Sequence, residues 1–233
     1  MRGLTMFYSY DSDTFSQLND FDSAKGLLAQ NREKISELGS IIVRHSLHNQ
    51  LGISLLHKHF ELQNSERLVA EFHESSIVTE PKIPQLNEDL IPYLWKLSIS
   101  KEDESLRFYP LEFVRSSEKT LAAAKSYSSV LTHPEFLLEM GEALDRLDIN
   151  NVFGISTLDR TNLIVDEDEI LVERSDNLIR QSLLSIESID DCTPSKLTET
   201  LWTFSPSFEV GQGCLHCTVC CIVHCYSHHP HKS

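Results

Sequence analysis

Residues 214–233 hold five of the six cysteines and five of the eleven histidines of the chain, in the sequence CLHCTVCCIVHCYSHHPHKS. The first three of these cysteines have the two-residue spacing of a zinc knuckle, and thiolates together with imidazoles are the ligands that Zn²⁺ or Cu⁺ prefers. The predicted metal ligands in this tail are Cys214, His216, Cys217, Cys220 and His224.

Two observations leave other interpretations of the tail open. A zinc ribbon needs a second knuckle a dozen or more residues away. A classical zinc finger needs about twelve residues between its Cys and His pairs, whereas only six residues separate Cys217 from His224. With a period of two, the tail also fits a β-strand with one apolar face, because free cysteine packs as a small apolar residue. Palmitoylation of Cys220 and Cys221 is a third interpretation, although no polybasic stretch accompanies the pair.

A second cluster comprises His45, His48, His57 and His59. The first two lie on one side of a predicted helix, and the other two point the same way on a predicted strand, so four imidazoles could converge on a metal ion. This pattern predicts a metal-dependent enzyme that acts on a small molecule. In the structural alternative, His45 continues an apolar helix stripe, and His57 and His59 lie on the solvent face of an edge hairpin.

Residues 52–66 resemble two known patterns. His57 and His59 on a strand, with Gly52 before them and Glu61 or Glu66 after them, resemble the metal-binding box of the cupins, but the glycine spacing is one residue short and the closing glycine is missing. The stretch LGISLLHKHFEL resembles a box that recurs in uncharacterised proteins of filamentous fungi, many of which end in a Cys/His-containing tail. That resemblance implies relatives and no particular activity.

The elements that must position these residues recur along the chain. With an offset of 102, residues 37–71 align with 139–173 without a gap. The identical pairs are Glu37/Glu139, Gly39/Gly141, Arg44/Arg146, Asn49/Asn151, Gly52/Gly154, Ile53/Ile155, Ser54/Ser156, Leu56/Leu158 and Glu71/Glu173. Further on, YLWKLS matches TLWTFS and pairs the only two tryptophans, Trp95 and Trp202. The sequence favours an internal duplication over a chance likeness of two helix-strand units.

Each copy predicts the same succession of elements. A helix comes first, with apolar residues at helical spacing from Ile35 in one copy and from Phe136 in the other. Pro134 suits the first turn of the second helix. An Asn-x-x-Gly break then leads into predicted hairpins, 53–62 with 66–73 and 154–165 with 169–173. The tryptophan strand follows and pairs with a returning strand, which in the second copy is the Cys-rich tail.

These elements predict a single α+β domain over residues 29–226, built from two similar helix-hairpin-strand halves at about 35–115 and 134–226. We expect residues 1–28 to be poorly ordered, because they are rich in Asp and Ser, and residues 227–233 to be frayed. A chain of 233 residues with 40% hydrophobic content can bury a core without disulfides.

Charge and missing motifs narrow the function. A net charge of -15, from 35 acidic and 20 basic residues, argues against nucleic acid as a partner. Nowhere do about eighteen apolar residues follow one another, so we expect no membrane span. The N-terminal segment reaches Asp11 before any apolar run of signal-peptide length, so we expect no secretory signal and a cytoplasmic or nuclear location. The sequence also lacks phosphate-loop, dinucleotide-binding, serine-hydrolase and H-E-x-x-H motifs.

The function predicted first is therefore a non-enzymatic binding or interaction protein. Its partner would be a protein or a small molecule that the sequence does not identify, and zinc in the Cys/His tail would be its metal. The alternative is the metal-dependent enzyme that uses the histidine cluster of the first half.

Overall fold

The computed structural model describes residues 6–7, 9–73, 75–86, 88–100, 102–103, 105–158, 163, 165–193 and 196–206, and the backbone of 216–223. Within these residues, α-helices and strands form a mixed α+β architecture, as the sequence predicts. The helices are α1 (Ser12–Ser16), α2 (Phe21–Asn31), α3 (Ile35–Arg44), α4 (Leu121–Leu131) and α5 (Pro134–Arg146). The strands are β1 (Met6–Phe7), β2 (Leu51–Leu55), β3 (Arg67–Phe72), β4 (Ser76–Lys82), β5 (Leu90–Ile99), β6 (Leu106–Arg115), β7 (Phe153–Thr157), β8 (Glu169–Asp176), β9 (Gln181–Ser188), β10 (Thr198–Thr203) and β11 (His216–Val223).

The strands form one strongly curled sheet that closes on itself. Its order is β6-β3-β4-β9-β8-β11-β10-β2-β7-β5, and β5 pairs back with β6, so that these strands make a ring. The short β1 adds to β6 in parallel, at Arg107 and Phe108. Because a closed sheet has two faces, alternate side chains of each strand point into the ring and outward.

Helices α2, α3, α4 and α5 all contribute side chains to a core on the outer face of one side of the ring. The core there joins Leu38 of α3 and Met140 of α5 to Ile53, Ile155 and Trp95 on the strands, and all five side chains are at most 1% exposed. Burying a large apolar side chain contributes about 1.5–3 kcal/mol. This layer therefore holds β2, β7 and β5 in place from outside.

The predicted helix faces are confirmed. Ile35, Leu38 and Ile42 are buried on α3, as their helical spacing indicates. Helix α5 begins at Pro134, whose missing N–H suits a first helical turn, and it buries Met140. No helix in the described ranges is long and apolar enough to cross a membrane.

Helices α3 and α5 end in the same way. Ser46, with φ of 60°, follows α3, and Asp148, with φ of 55°, follows α5. In each turn an amide reaches back five residues to close the helix, from Leu47 to the Ile42 carbonyl at 3.0 Å and from Ile149 to the Leu144 carbonyl at 2.9 Å. These are the bonds of a helix end closed by one left-handed residue, and they direct the chain into β2 and β7.

The predicted hairpins are wrong. Strand β2 pairs with β7 and β10, and β7 pairs with β2 and β5, so both edges of each strand are occupied by other partners. Strand β3 pairs with β4 and β6, and β8 pairs with β9 and β11. Alternating apolar residues identify strands but not their neighbours, which explains the error.

The N-terminal region also differs from the expectation of poor order. Asp11 and Asp20 accept hydrogen bonds from backbone amides at the starts of α1 and α2, as N-cap residues do. Phe15 and Leu28 on these helices are 1% and 5% exposed. Burial of these apolar side chains thus stabilises the N-terminal helices, although the segment is rich in Asp and Ser. The fraying expected for 227–233 concerns residues outside the described ranges.

The strand predicted in the Cys-rich tail is present. Strand β11 runs antiparallel to β10, with Cys217 opposite Trp202 and Cys220 opposite Glu199. On its other edge β11 runs parallel to β8, with Cys220 opposite Val172. The tail backbone is thus an interior member of the ring.

Candidate functional site

Side chains from several strands meet in a small polar cavity of about 20 Å³. The residues that line it are Ser54, Leu55, His57, His59, Leu94, Glu112, Glu173 and Thr200. They come from β2, β5, β6, β8 and β10 and from the segment after β2, which places the cavity inside the ring. A space of this size holds about one water molecule or one ion.

Backbone hydrogen bonds hold the segment that carries the two histidines. The Leu56 amide donates to the Val152 carbonyl at 2.8 Å, and the Lys58 amide donates to the Asn19 carbonyl at 2.9 Å. Lys58 also donates from Nζ to the Ser16 carbonyl at 2.7 Å. These bonds tie the segment to the turn before β7 and to the N-terminal helices, so both imidazoles are set against the cavity.

His57 and His59 form a hydrogen-bonded pair. Nδ1 of His57 lies 2.9 Å from the Leu55 carbonyl oxygen, and Nε2 of His57 lies 3.2 Å from Nε2 of His59. Because a carbonyl oxygen only accepts, we assign the proton of neutral His57 to Nδ1, and Nε2 then accepts from His59. Nδ1 of His59 is buried and has no hydrogen-bond partner among the described residues.

Two carboxylates lie at the same cavity. Oε1 of Glu173 is 3.7 Å from Nε2 of His59, and these side chains are 17% and 8% exposed. The Tyr93 hydroxyl, on a residue that is 2% exposed, donates to Glu112. Of the described residues that line the cavity, none is a lysine or an arginine. The described lining of the cavity is therefore rich in hydrogen-bond acceptors.

The start of α2 covers the imidazole pair. The Phe21 ring packs against His57 with 5.3 Å between centroids and against His59 with 6.0 Å. Asp20, the N-cap of α2, forms a β-bridge with Lys58. The start of α2 thus shields the imidazole pair from solvent, a role that the sequence does not predict.

The four histidines predicted to converge do not lie together. Nε2 of His45 lies 2.7 Å from Oε2 of Glu139 on α5, and its ring packs edge-on against Phe136. Hydrogen bonds from His45 and then from Arg44 lower the pKa of Glu139. Nδ1 of His48 is buried, with no hydrogen-bond partner in the described part of the chain. His45 thus belongs to the α3–α5 contact.

The predicted ligands in the tail lie at the limit of what is described. His216, Cys217 and Cys220 are on β11, of which only the backbone is described, and Cys214 and His224 lie outside the described residues. Among the side chains that the structure does describe, no three His, Cys, Asp or Glu residues are grouped as a metal centre.

Sequence reasoning missed Glu112, Glu173 and Tyr93. All three sit on strands whose inward face could be identified only once the neighbouring strands were known. Glu112 has Leu68 beside it on β3 and Leu94 beside it on β5, both of them apolar. A charged residue between apolar neighbours on a buried face is the signal that would have identified it.

A wider groove of about 510 Å³ lies outside the ring, between α2 and the start of β10. Its lining residues are Lys25, Leu28, Ala29, Arg32, Leu197, Thr198 and Glu199. Arg32 and Glu199 form an ion pair there. The groove is separate from the imidazole pair.

No family model, curated protein or solved structure matches this chain. Its function is therefore inferred from the residues and contacts of the site.

Proposed function

We propose that the chain is a non-enzymatic binding protein, built from two similar halves, that holds a small ligand at the cluster of His57, His59, Glu112 and Glu173. One observation carries the proposal: the two carboxylates occupy interior positions at which the other half has apolar residues. The cavity volume of about 20 Å³ sets the ligand's size, because it leaves room for about one atom or ion.

Strand pairing supports the two-halves part of the proposal. Ile53 of β2 lies opposite Ile155 of β7, its match at an offset of 102 residues. Trp202 pairs with Ile53, and Trp95 pairs with Ile155. The register of β10 against β11 shifts next to Leu201 and Trp202, and that of β5 against β6 shifts at the matching Leu94 and Trp95.

Contacts between the halves are reciprocal as well. Arg44 pairs with Glu139, and their matches Arg146 and Glu37 pair in the opposite direction. The Leu56 amide donates to the Val152 carbonyl at 2.8 Å, while the matching Leu158 amide donates to the Gln50 carbonyl at 2.9 Å. A duplicated unit packed about a two-fold axis has such reciprocal contacts.

The strand registers give each interior position a counterpart. In one half, Glu112 lies between Leu68 and Leu94. In the other half, the corresponding three neighbouring strands are β8, β11 and β10. Their register places Val219 between Leu171 and Leu201. Two residues further along the strands, Ala70 follows Leu68 on β3 and Glu173 follows Leu171 on β8. Ala70 is therefore the counterpart of Glu173. In the opposite half, the fold thus has Val219 at the position that corresponds to Glu112 and Ala70 at the position that corresponds to Glu173.

This difference favours binding over a structural role. Enclosing a carboxylate inside a sheet is unfavourable unless it is paired, and well-packed apolar residues often replace a buried ion pair without loss of stability. At each of the two positions, therefore, the half with the apolar residue shows what the fold needs. The glutamate that the opposite half carries there, Glu112 in the first half and Glu173 in the second, is better explained by a ligand.

The test replaces each glutamate with the residue that occupies the counterpart position in the other half. We expect Glu173→Ala to change the free energy of unfolding by less than about 1 kcal/mol, because the counterpart position, Ala70, already carries alanine and apolar replacements of buried charges are often neutral. Glu112→Val is combined with Tyr93→Phe, since removing both partners of a hydrogen bond leaves no buried hydroxyl unsatisfied. Urea unfolding measures both changes.

If either variant loses about 3–5 kcal/mol of the free energy of unfolding, its glutamate belongs to a buried pair that stabilises the fold. That outcome would overturn the proposed binding role. Leu171→Ala is the matched control for the method, because truncating this buried side chain, which is 6% exposed, should cost about 2–5 kcal/mol.

Metal-dependent catalysis is the second candidate. It is favoured by the distance of 3.2 Å between Nε2 of His57 and Nε2 of His59. The enclosed cavity of about 20 Å³ favours it less, because a substrate needs access to the reacting groups. The partner protein, a zinc ion in the tail and the cytoplasmic or nuclear location stay predictions from the sequence.

A further inference from the structure

We propose that the groove between α2 and the start of β10 binds a small aromatic organic anion, such as a carboxylate or sulfonate with an aromatic body. The groove measures about 510 Å³, and small-molecule sites commonly measure about 300–1,000 Å³. The interior cavity of about 20 Å³ is too small for such a molecule. The proposed site is therefore distinct from the cluster of His57, His59, Glu112 and Glu173.

The groove has apolar residues on both of its walls. Leu28 and Ala29 lie on the face of α2 that is turned toward β10, and Leu197 lies just before that strand. Leu28 is 5% exposed and belongs to the core outside the ring, so packing fixes its position. A bound apolar ring would remove surface from water on both sides of the groove.

Lys25 supplies the charge that selects an anion. Three charged residues are in the described lining, and the ion pair between Arg32 and Glu199 balances two of them. Lys25 forms no ion pair with any residue in the described ranges. In a chain with a net charge of -15, this uncompensated cation beside apolar walls favours a ligand with an apolar body and a negative charge.

Helix α4 shows which group fits against such a helix face, if the two similar halves proposed above are compared. It precedes α5 as α2 precedes α3, and both helices have eleven residues. At the offset of 102 residues, the groove residues of α2 have the matches Lys25/Tyr127, Leu28/Val130 and Ala29/Leu131. Val130 is buried in the same outer core as Leu28, so the two helices pack in a similar way.

The ring of Tyr127 fills this place on α4. It stacks on Trp95 of β5, with 5.9 Å between centroids and 16° between the ring planes. The corresponding residue of α2 is Lys25, beside which the groove is open. An aromatic ligand would put a ring where α4 has its own, and the acidic group of the ligand would then lie beside the Lys25 ammonium. Charge and shape thus point to the same class of ligand.

Fluorescence titration of the full chain with two probes tests the inference. Anilinonaphthalene sulfonate is an aromatic anion whose fluorescence rises when it binds apolar surface. N-phenylnaphthylamine has the same rings without the sulfonate, so it reports the apolar contribution alone. We expect the unsubstituted chain to bind one equivalent of the sulfonate.

Two changes on α2 assign the probe to the groove. Lys25→Gln should weaken sulfonate binding by about 2–5-fold, the range for a partly exposed ion pair, and leave the affinity for the neutral probe unchanged. Lys25→Tyr combined with Ala29→Leu gives α2 the side chains of α4, so the groove is filled and neither probe should bind measurably. Lys125→Gln is the matched control, because Lys125 is an exposed lysine of α4 outside the lining of the groove.

The inference is overturned if the unsubstituted chain binds no sulfonate, or if Lys25→Gln weakens neither probe or weakens both equally. Sulfonate binding that survives in the folded double variant would also overturn it, because the probe would then lie elsewhere. Circular dichroism shows whether each variant is folded, and Lys25→Gln, which changes one exposed side chain, decides the matter if the double variant unfolds. These results are independent of the urea experiments on Glu112 and Glu173, which test the proposed function.

Discussion

Ile53 and Ile155 lie opposite each other at the centre of the β2–β7 pair, and the contacts on one side of them recur on the other. Gly52 faces Ser156 in this register, and Ser54 faces Gly154. The proposed duplication predicts that a substitution in one of these strands has an energetic equivalent in the other.

The two glycines provide the first test of this equivalence. A Cβ on Gly52 would lie 2.6 Å from the Trp202 carbonyl oxygen, and one on Gly154 would lie 2.3 Å from the Trp95 carbonyl oxygen. Because the neighbouring backbone must shift to admit a methyl group, Gly52→Ala and Gly154→Ala should each lower the free energy of unfolding by about 1–3 kcal/mol. Urea denaturation measures the loss.

Gly26 on α2 is the matched control. A Cβ there meets no atom within 4 Å, so Gly26→Ala should raise the free energy of unfolding by about 0.5–1 kcal/mol through helix propensity. Unchanged stability in either strand variant would mean that the close backbone approach does not persist in solution.

The reciprocal ion pairs provide the second test. The side chains of Arg44 and Glu139 are 57% and 41% exposed, and those of Arg146 and Glu37 are 60% and 45% exposed. At such exposure, solvent screening limits the coupling to about 0.2–1 kcal/mol per pair. Double-mutant cycles with Ala at all four positions should give coupling energies of this size for both pairs, falling as salt is added. A coupling in one pair only would contradict their equivalence.

How much the sequence could predict depends on whether a feature is local. The apolar stripe from Ile35 and the proline start at Pro134 predict α3 and α5 correctly, because helix periodicity is read within one segment. The antiparallel return after Trp95 is also predicted correctly. Strand neighbours across the ring are not, because period-two alternation carries no information about which strand lies alongside.

One residue of register explains why the site was missed. The sequence alignment with an offset of 102 matches Glu173 with Glu71. The registers of β8 with β11 and of β3 with β6 match it with Ala70 instead. Glu71 forms an ion pair with Arg115, and its side chain is 36% exposed, whereas that of Glu173 is 17% exposed. A shift of one residue moves a side chain to the other face of a strand. No local pattern could therefore have placed Glu173 beside His59.

An acid-dependent contact joins the segment before β3 to the turn after β8. Arg180 donates to Glu66 from Nη1 at 3.0 Å and from Nη2 at 2.5 Å, and these hydrogen bonds lower the pKa of the Glu66 carboxyl. A lowered carboxyl pKa stabilises the fold above the unfolded value of 4.5, and this stabilisation is lost as pH falls through the folded pKa.

Glu66→Gln should therefore lower the free energy of unfolding by about 1.5–3 kcal/mol at pH 7, the range for hydrogen bonds to charged groups. The difference from the unsubstituted protein should shrink as the pH is lowered below 4.5. Glu33→Gln, at an exposed position, is the control and should leave the free energy of unfolding at pH 7 nearly unchanged. A difference that stays constant down to low pH would show that charge is not the source of the stabilisation.

Lys96 presents the opposite electrostatic case, a buried cation that the fold accommodates at a cost. It is 8% exposed, its Nζ donates to Oδ1 of Asn151 at 2.6 Å, and burial lowers the pKa of its amine. A lowered amine pKa means that the charged form destabilises the fold, so the free energy of unfolding should rise as pH increases toward the unfolded value of 10.5.

Lys96→Met keeps the length of the side chain and removes the charge. We expect it to raise the free energy of unfolding at pH 7, by about 1 kcal/mol, since apolar replacements of buried charges are neutral or stabilising. The gain over the unsubstituted protein should diminish as the pH rises toward the unfolded value of 10.5, because deprotonation of Lys96 relieves the same cost. Lys125→Met on the exposed face of α4 is the control, with no expected change. A destabilised Lys96→Met protein would show instead that the bond to Asn151 outweighs the burial of the charge.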